Sequence, residues 1–271
     1  MDAGTVRAFI ASLADLPSDE TARERSRVML EALQRPDVRY LVGTIVGPDA
    51  ASIARVARAI LEAAAAPTGV LGAEAAIAGA PLDDPLLARA GTLGAAAGYQ
   101  LSASRPDLGD PSRREMVVTM ALIAFAEASR RVALLLDAAV DPLDPVHAVV
   151  PDLVVIGRVG RDEAERALGL VPDGRPAVAA PLDGDVREIV ERGASERGIP
   201  LLLGGRDYEV ETGGETVTVR VGTERYAGIA LPPGIGEAQL ATGIAAALAL
   251  GVLGIRMREE WVIEGCRSIG S

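Results

Sequence analysis

Two residue types are missing from this chain. Its 271 residues include no lysine and no asparagine, and all 27 basic side chains are arginine. No role that needs a lysine can therefore be filled from within the chain. Histidine and cysteine occur once each, as His147 and Cys266. A single cysteine excludes an internal disulfide and fits a reducing compartment, so the expected location is the cytoplasm. Aromatic residues amount to 3%, which leaves alanine, valine, leucine and isoleucine to fill the core. Positive charge is in deficit: the net charge is −11. That balance excludes a nucleic-acid partner, which needs a basic surface, and an anionic membrane surface. The most apolar run, "LATGIAAALALGVLGI" over 240–255, falls short of the roughly 20 residues of a membrane span and reads as a buried helix. The N-terminal "MDAGTVRAFIASLADLP" has an early acid and no long apolar core, so it does not read as a signal peptide.

What is present points to a large α/β domain. Hydrophobic residues make up 49% and the mean hydropathy is +0.25, enough for a sizeable core. Apolar spacing near 3.6 residues predicts helices over 5–14 and 21–34, separated by "LPSDE". A strand "VRYLVG" (38–43), a glycine-containing loop and a helix over 49–65 follow. Residues 73–112 read as a loop-rich excursion with one helix around 84–97, and a helix over 112–130 comes next. Apolar runs at 132–140, 152–159, 176–180 and 199–204 read as strands, with a helix over 183–198 between the last two. Near-continuous apolar strands alternating with helices predict a mainly parallel sheet covered on both faces, a three-layer α/β fold. Residues 206–231 alternate polar and apolar around Gly213-Gly214 and predict a small antiparallel hairpin. Two helices, 236–252 and 256–266, close the chain.

The order and spacing of these elements resemble the central ATP-binding domain of the Mur ligase superfamily, closest to its folylpolyglutamate synthase branch. The resemblance rests on "YLVGT" before the loop, "RVALLLDAAVDPLDPVHAVVPDLVVIGRVGRDEAERALG" (131–169), "ASERGIPLLLGGRDYEV" and "LPPGIGEAQLATGIAAALAL" (231–250). It implies one domain over 1–271, with residues 1–37 as a helical lead and 236–266 as closing helices. The family's third domain is absent from this sequence. The resemblance also implies ATP and Mg²⁺ as cofactors and, for an active member, an ADP-forming acid–amino-acid ligase.

The motif chemistry departs from that pattern. The family's phosphate loop reads Gly-Thr-Asn-Gly-Lys-Gly-Ser/Thr, in which backbone amides and a helix N-terminus cradle phosphate, lysine neutralises it and the hydroxyl holds magnesium. Here Gly43 and Thr44 are kept, Gly47 stands at the lysine position, Pro48 lacks an N–H, and Asp49 stands at the hydroxyl position. Asp49 is expected to cap the helix that follows. The family's metal-binding Glu and His positions carry Asp137 and the pair Asp162-Glu163, and Asp144-Pro145-Val146-His147 replaces a polar segment. Asp137, Asp162 and Glu163 are either oxygen ligands for Mg²⁺ or solvated caps. His147 and Asp144 are either acid–base machinery or structural groups. Of the family's His-Gln-x-x-Asn stretch near the adenine, Gln239 alone keeps its type. The family's carbamoylated lysine and its Thr-Ser-Pro-His substrate loop after Gly72 have no counterpart. Cys266, in the last helix, reads as a core thiol rather than a nucleophile.

The expected function is that of a folylpolyglutamate synthase-like protein with a degraded ATP site, surviving as a binding or accessory subunit. A homo-oligomer, or a complex with a ligase or pathway enzyme, is the expected assembly, with a small molecule as possible ligand. The rival is an active enzyme, completed by a partner chain or running metal or acid–base chemistry in the old cleft.

Overall fold

The computed structural model describes residues 1–72, 83–213 and 216–269, and the backbone of 77–78. At its centre is β1 (Leu41–Val46), buried on both sides. Its β-branched run Thr44-Ile45-Val46 carries the strand further than the sequence predicts, through Val46 rather than to Gly43. Val38 and Arg39, expected to open that strand, belong instead to a 3₁₀ turn over Pro36–Arg39, because Pro36 fixes its own φ and donates no ladder bond.

The remaining elements build outward from β1. Two lead helices, α1 (Ala3–Ser12) and α2 (Ala22–Ala32), precede it. After it come α3 (Ala50–Ala63), β2 (Thr68–Leu71) and the short β3 (Ile77–Ala78). Then α4 (Asp84–Ser104) runs longer than expected and packs on α5 (Arg113–Glu127). Strands β4 (Val132–Asp137), β5 (Leu153–Ile156), β6 (Ala177–Ala179) and β7 (Leu201–Leu203) follow, with α6 (Arg161–Gly169) and α7 (Gly184–Glu196) as crossovers. The sheet order is β3-β2-β4-β1-β5-β6-β7; six strands are parallel and β3 is the antiparallel edge. Three-layer α/β architecture is thus as expected.

The segment expected to be a hairpin is a separate three-stranded antiparallel sheet: β8 (Tyr208–Gly213), β9 (Thr216–Val221) and β10 (Glu224–Ala230). A second turn at Gly222, with φ +57°, folds the third strand back. The two closing helices are α8 (Glu237–Val252) and α9 (Glu259–Ser268).

Side chains alternate along β1 as a buried strand requires. Ile45 joins the core under α3, α8 and α9, while Val42 packs toward α5 and Val46 toward α6. On that second side a buried ion pair ties α2 to α5: Arg25 Nη2 lies 2.7 Å from Glu115 Oε1, and Glu115 also accepts from the Ser112 amide in a capping box.

The first side explains the poverty in aromatics. Helix α3 is gripped between α8 and α9 at glycine contacts. A Cβ on Gly243 would fall 2.5 Å from Val56 Cβ, and one on Gly265 would fall 2.5 Å from the Ile60 Cα. Small residues let the helix backbones approach until large side chains are not needed to fill the gap. We predict that Gly265→Ala destabilises the protein by about 1–3 kcal/mol in urea unfolding, the cost of overpacking. At an uncrowded helical position the same change would stabilise by up to about 1 kcal/mol. A gain in stability would contradict this packing.

Candidate functional site

In a doubly wound sheet, ligands bind beyond the carboxyl ends of the strands, where the strand order reverses. Here that place is the end of β1, flanked by the ends of β4 and β5. The β1–α3 connection is three residues long, Gly47, Pro48 and Asp49. Gly43 lies in the strand as expected, and Thr44 belongs to it too rather than to the loop, a correction to the expected boundary. Gly43 faces Leu134 and Leu250, and Thr44 is buried.

Each loop residue has a defined task. Gly47 adopts φ +110°, and a Cβ there would meet the Arg158 carbonyl at 3.0 Å. Its amide donates to Asp137 O at 2.9 Å, and the Ala50 amide donates to Gly47 O at 3.0 Å. Asp49 stands at the N-cap position of α3, but its carboxylate does not cap. It reaches across to the next loop, where Oδ1 accepts from the Arg158 amide at 2.9 Å. This corrects the expected side-chain cap, and the reason is local. Gly157 has no side chain, so the carboxylate fits where a Cβ would lie 2.1 Å from Oδ1. The Gly157 amide donates to Val46 O at 2.8 Å and holds the two loops together. Asp49 is 9% exposed, and its charge sits at the N-terminus of α3, where the helix field favours an anion.

Beside it, the end of β4 carries a second knot. Asp137, 3% exposed, accepts at Oδ1 from the Ala139 amide (3.1 Å) and at Oδ2 from the Asp141 amide (2.7 Å). The Nε2–H of His147 donates to the same Oδ2 at 2.9 Å. These bonds bracket Val140, a buried β-branched residue at φ +51°, a conformation that costs on the order of 1–3 kcal/mol. His147 lies on the 3₁₀ turn Pro145–Ala148, capped by Asp144, whose Oδ1 accepts from the Val146 amide at 2.9 Å. Asp144 also pairs with Arg114 at 3.3 Å.

The other predicted residues lie apart from this knot in their roles. Glu163 accepts from the Gly160 amide at 2.7 Å and caps α6; Asp162 is exposed in the same turn. Gln239 caps α8 by accepting from the Gly236 amide at 2.6 Å. Among the described residues, no three His, Cys, Asp or Glu side chains gather as a set able to hold a metal. The segment after Gly72, where a substrate loop was sought, lies outside the described residues. Cys266 is buried, and burial pushes its thiol up to about 12. Sequence reasoning missed Gly157 and Arg158; the one signal was a glycine directly after the apolar run of β5.

No protein-family profile matches this sequence, and no curated protein matches it either. Solved structures do. A complex of FPGS with AMPPCP and folate superposes with a TM-score of 0.87 at 19% identity, over 98% of this chain and 71% of that one. The folylpolyglutamate synthetase from Lactobacillus casei gives 0.84 at 20% identity, over 98% and 71%. The Mycobacterium tuberculosis folylpolyglutamate synthase complexed with ADP gives 0.81 at 19% identity, over 99% and 66%. At such identity the likeness is one of fold: the chain has the architecture of the folylpolyglutamate synthases, that of the Mur ligase central domain. Among the described residues, no helix is long and apolar enough to cross a membrane.

The Asp137 knot yields a prediction. Asp137→Asn places an amide where three donors converge, so it should lower stability by roughly 2 kcal/mol in urea unfolding, the scale of a hydrogen bond to a buried charge. A loss below about 0.5 kcal/mol, the range of an inert surface change, would show that the knot carries no structural weight.

Proposed function

We propose that this is a folylpolyglutamate synthase-like protein whose phosphate loop no longer takes a nucleotide, and that it acts as a binding or accessory subunit rather than as a ligase. The observation that carries the reading is the Asp49 carboxylate, seated between the β1–α3 and β5–α6 loops with its Oδ1 on the Arg158 amide. A triphosphate needs inward-facing amides and a cation. Of the loop's amides, that of Gly47 is engaged by Asp137 O, that of Ala50 by Gly47 O, and Pro48 has none. No lysine exists anywhere in the chain to neutralise the β and γ charges. A carboxylate in that place repels the ligand it would have to hold. The residues present thus do not fit ATP.

The rival reading, acid–base or metal chemistry at His147, Asp144 and Asp137, has less support. Both oxygens of Asp137 are already bonded, and Asp144 is held by Val146 and Arg114. An accessory role implies a partner, a second copy or a complete ligase, and the exposed Tyr99 and Val252 offer it apolar contacts.

Titration of ATP with Mg²⁺, followed at the backbone amide resonances of Gly47, Asp49 and Arg158, tests the reading. No saturable shift is expected at these amides up to millimolar ATP. Saturation there with a micromolar Kd would overturn it.

A further inference from the structure

The opposite end of the sheet holds an open cavity of about 820 Å³, within the size range of small-molecule sites. It lies where the chain enters β1, β5 and β6, far in topology from Gly47 and Asp137. Leu41, Val42 and Ile255 supply apolar wall. Five arginines line it: Arg35, Arg39, Arg130, Arg131 and Arg175. Against them stand two aspartates, Asp37 and Asp152, which leaves a formal charge of +3 in a chain whose net charge is −11.

Part of this charge has a structural task. Arg35 pairs with Asp37 at 2.6 Å and Arg175 with Asp152 at 3.3 Å. Helices α5 and α8 end here, and their carbonyl ends carry partial negative charge; Arg131 donates to Gly254 O at 3.3 Å in that role. Arg39 and Arg130 do not fit this account. Neither guanidinium has a hydrogen-bond or ion-pair partner among the described residues, although Arg130 is partly buried. Arg130 is half-buried and Arg39 exposed, so both guanidinium groups are free to turn toward a ligand entering the cavity, and guanidinium forks match carboxylate and phosphate oxygens two at a time.

We propose that this cavity binds a small polyanion carrying two or more carboxylate or phosphate groups, with Arg39 and Arg130 as its principal ligands. The site is separate from the Asp49 loop, and its test leaves that loop untouched, so either proposal can fail alone.

Calorimetric titration of the intact protein at low ionic strength, with citrate as the carboxylate probe and pyrophosphate as the phosphate probe, tests the proposal. Saturable 1:1 binding of at least one probe is expected, with a Kd below about 1 mM, weakening as salt shortens the Debye length. Which probe binds assigns the acid class. Arg39→Glu/Arg130→Glu should weaken it at least tenfold, with a thermal midpoint near that of the parent. Arg161→Glu, on exposed α6, should leave it unchanged. Should the double variant not fold, Arg39→Ser alone should still weaken binding several-fold. Failure of both probes to bind, or equal binding by the arginine variants, would overturn the proposal.

Discussion

The bond between the Asp49 carboxylate and the Arg158 amide locks together two loops at the carboxyl edge of the sheet. It joins the connection after the central strand to the connection after its neighbour β5. A hydrogen bond to a charged group contributes about 1.5–3 kcal/mol. The rest of the edge is arranged around it. Gly157 has no Cβ to collide with the carboxylate, Gly47 takes a positive φ so that its carbonyl can receive Ala50, and Asp137 O receives Gly47. The neighbouring Asp137–His147 knot then fixes the strained Val140 turn. Two carboxylates at or just beyond the ends of two adjacent strands make this a polar edge, on which both oxygens of Asp137 and Oδ1 of Asp49 already accept hydrogen bonds.

Behind that edge, composition and packing are one fact. A chain with so few aromatic rings fills its interior by bringing helices close rather than by inserting large side chains. Gly243 and Gly265 seat α3 between α8 and α9, and Gly69 faces the ring of Phe125, one of two phenylalanines in the protein. Because α3 begins directly after Asp49, this grip also fixes where the carboxylate can point. The all-arginine character acts at the other end of the sheet, where guanidinium groups collect beside the carbonyl ends of α5 and α8. The two ends thus differ in sign: acidic side chains close the carboxyl edge, and basic ones line the cavity at the amino edge.

Much of the architecture was legible in the sequence, for physical reasons that can be named. Continuous apolar runs such as "VALLL" and "LVVI" admit only a strand buried on both faces, and the strand–helix alternation required a parallel sheet. Boundaries were less legible where propensity and motif conflicted. The motif reading ended the first strand at Gly43, whereas Thr44, Ile45 and Val46 prolong it. The second turn at Gly222 was missed although Gly222-Thr223-Glu224-Arg225 interrupts the alternation and leaves Tyr226 out of phase with Val217, Val219 and Val221, so three strands read as two. At the site, the missing lysine and the presence of Asp49 and Pro48 were plain in the sequence. The destination of the Asp49 carboxylate was not, since its partner is a backbone amide in a loop 109 residues away, and a backbone donor leaves no trace in residue identity. His147 and Asp137 could be named as candidates, but their pairing depends on a turn whose strained Val140 no propensity would suggest.

The proposed reading requires that Asp49 is bonded to the β5–α6 loop. Hydrogen exchange at the Arg158 amide measures this directly, because a bonded amide is protected and a solvated one is not. The account predicts that this amide is protected in the parent protein and exchanges at least tenfold faster in Asp49→Ala, while the amides of β1 keep their protection. An Arg158 amide that exchanges at the same rate in both proteins would contradict it.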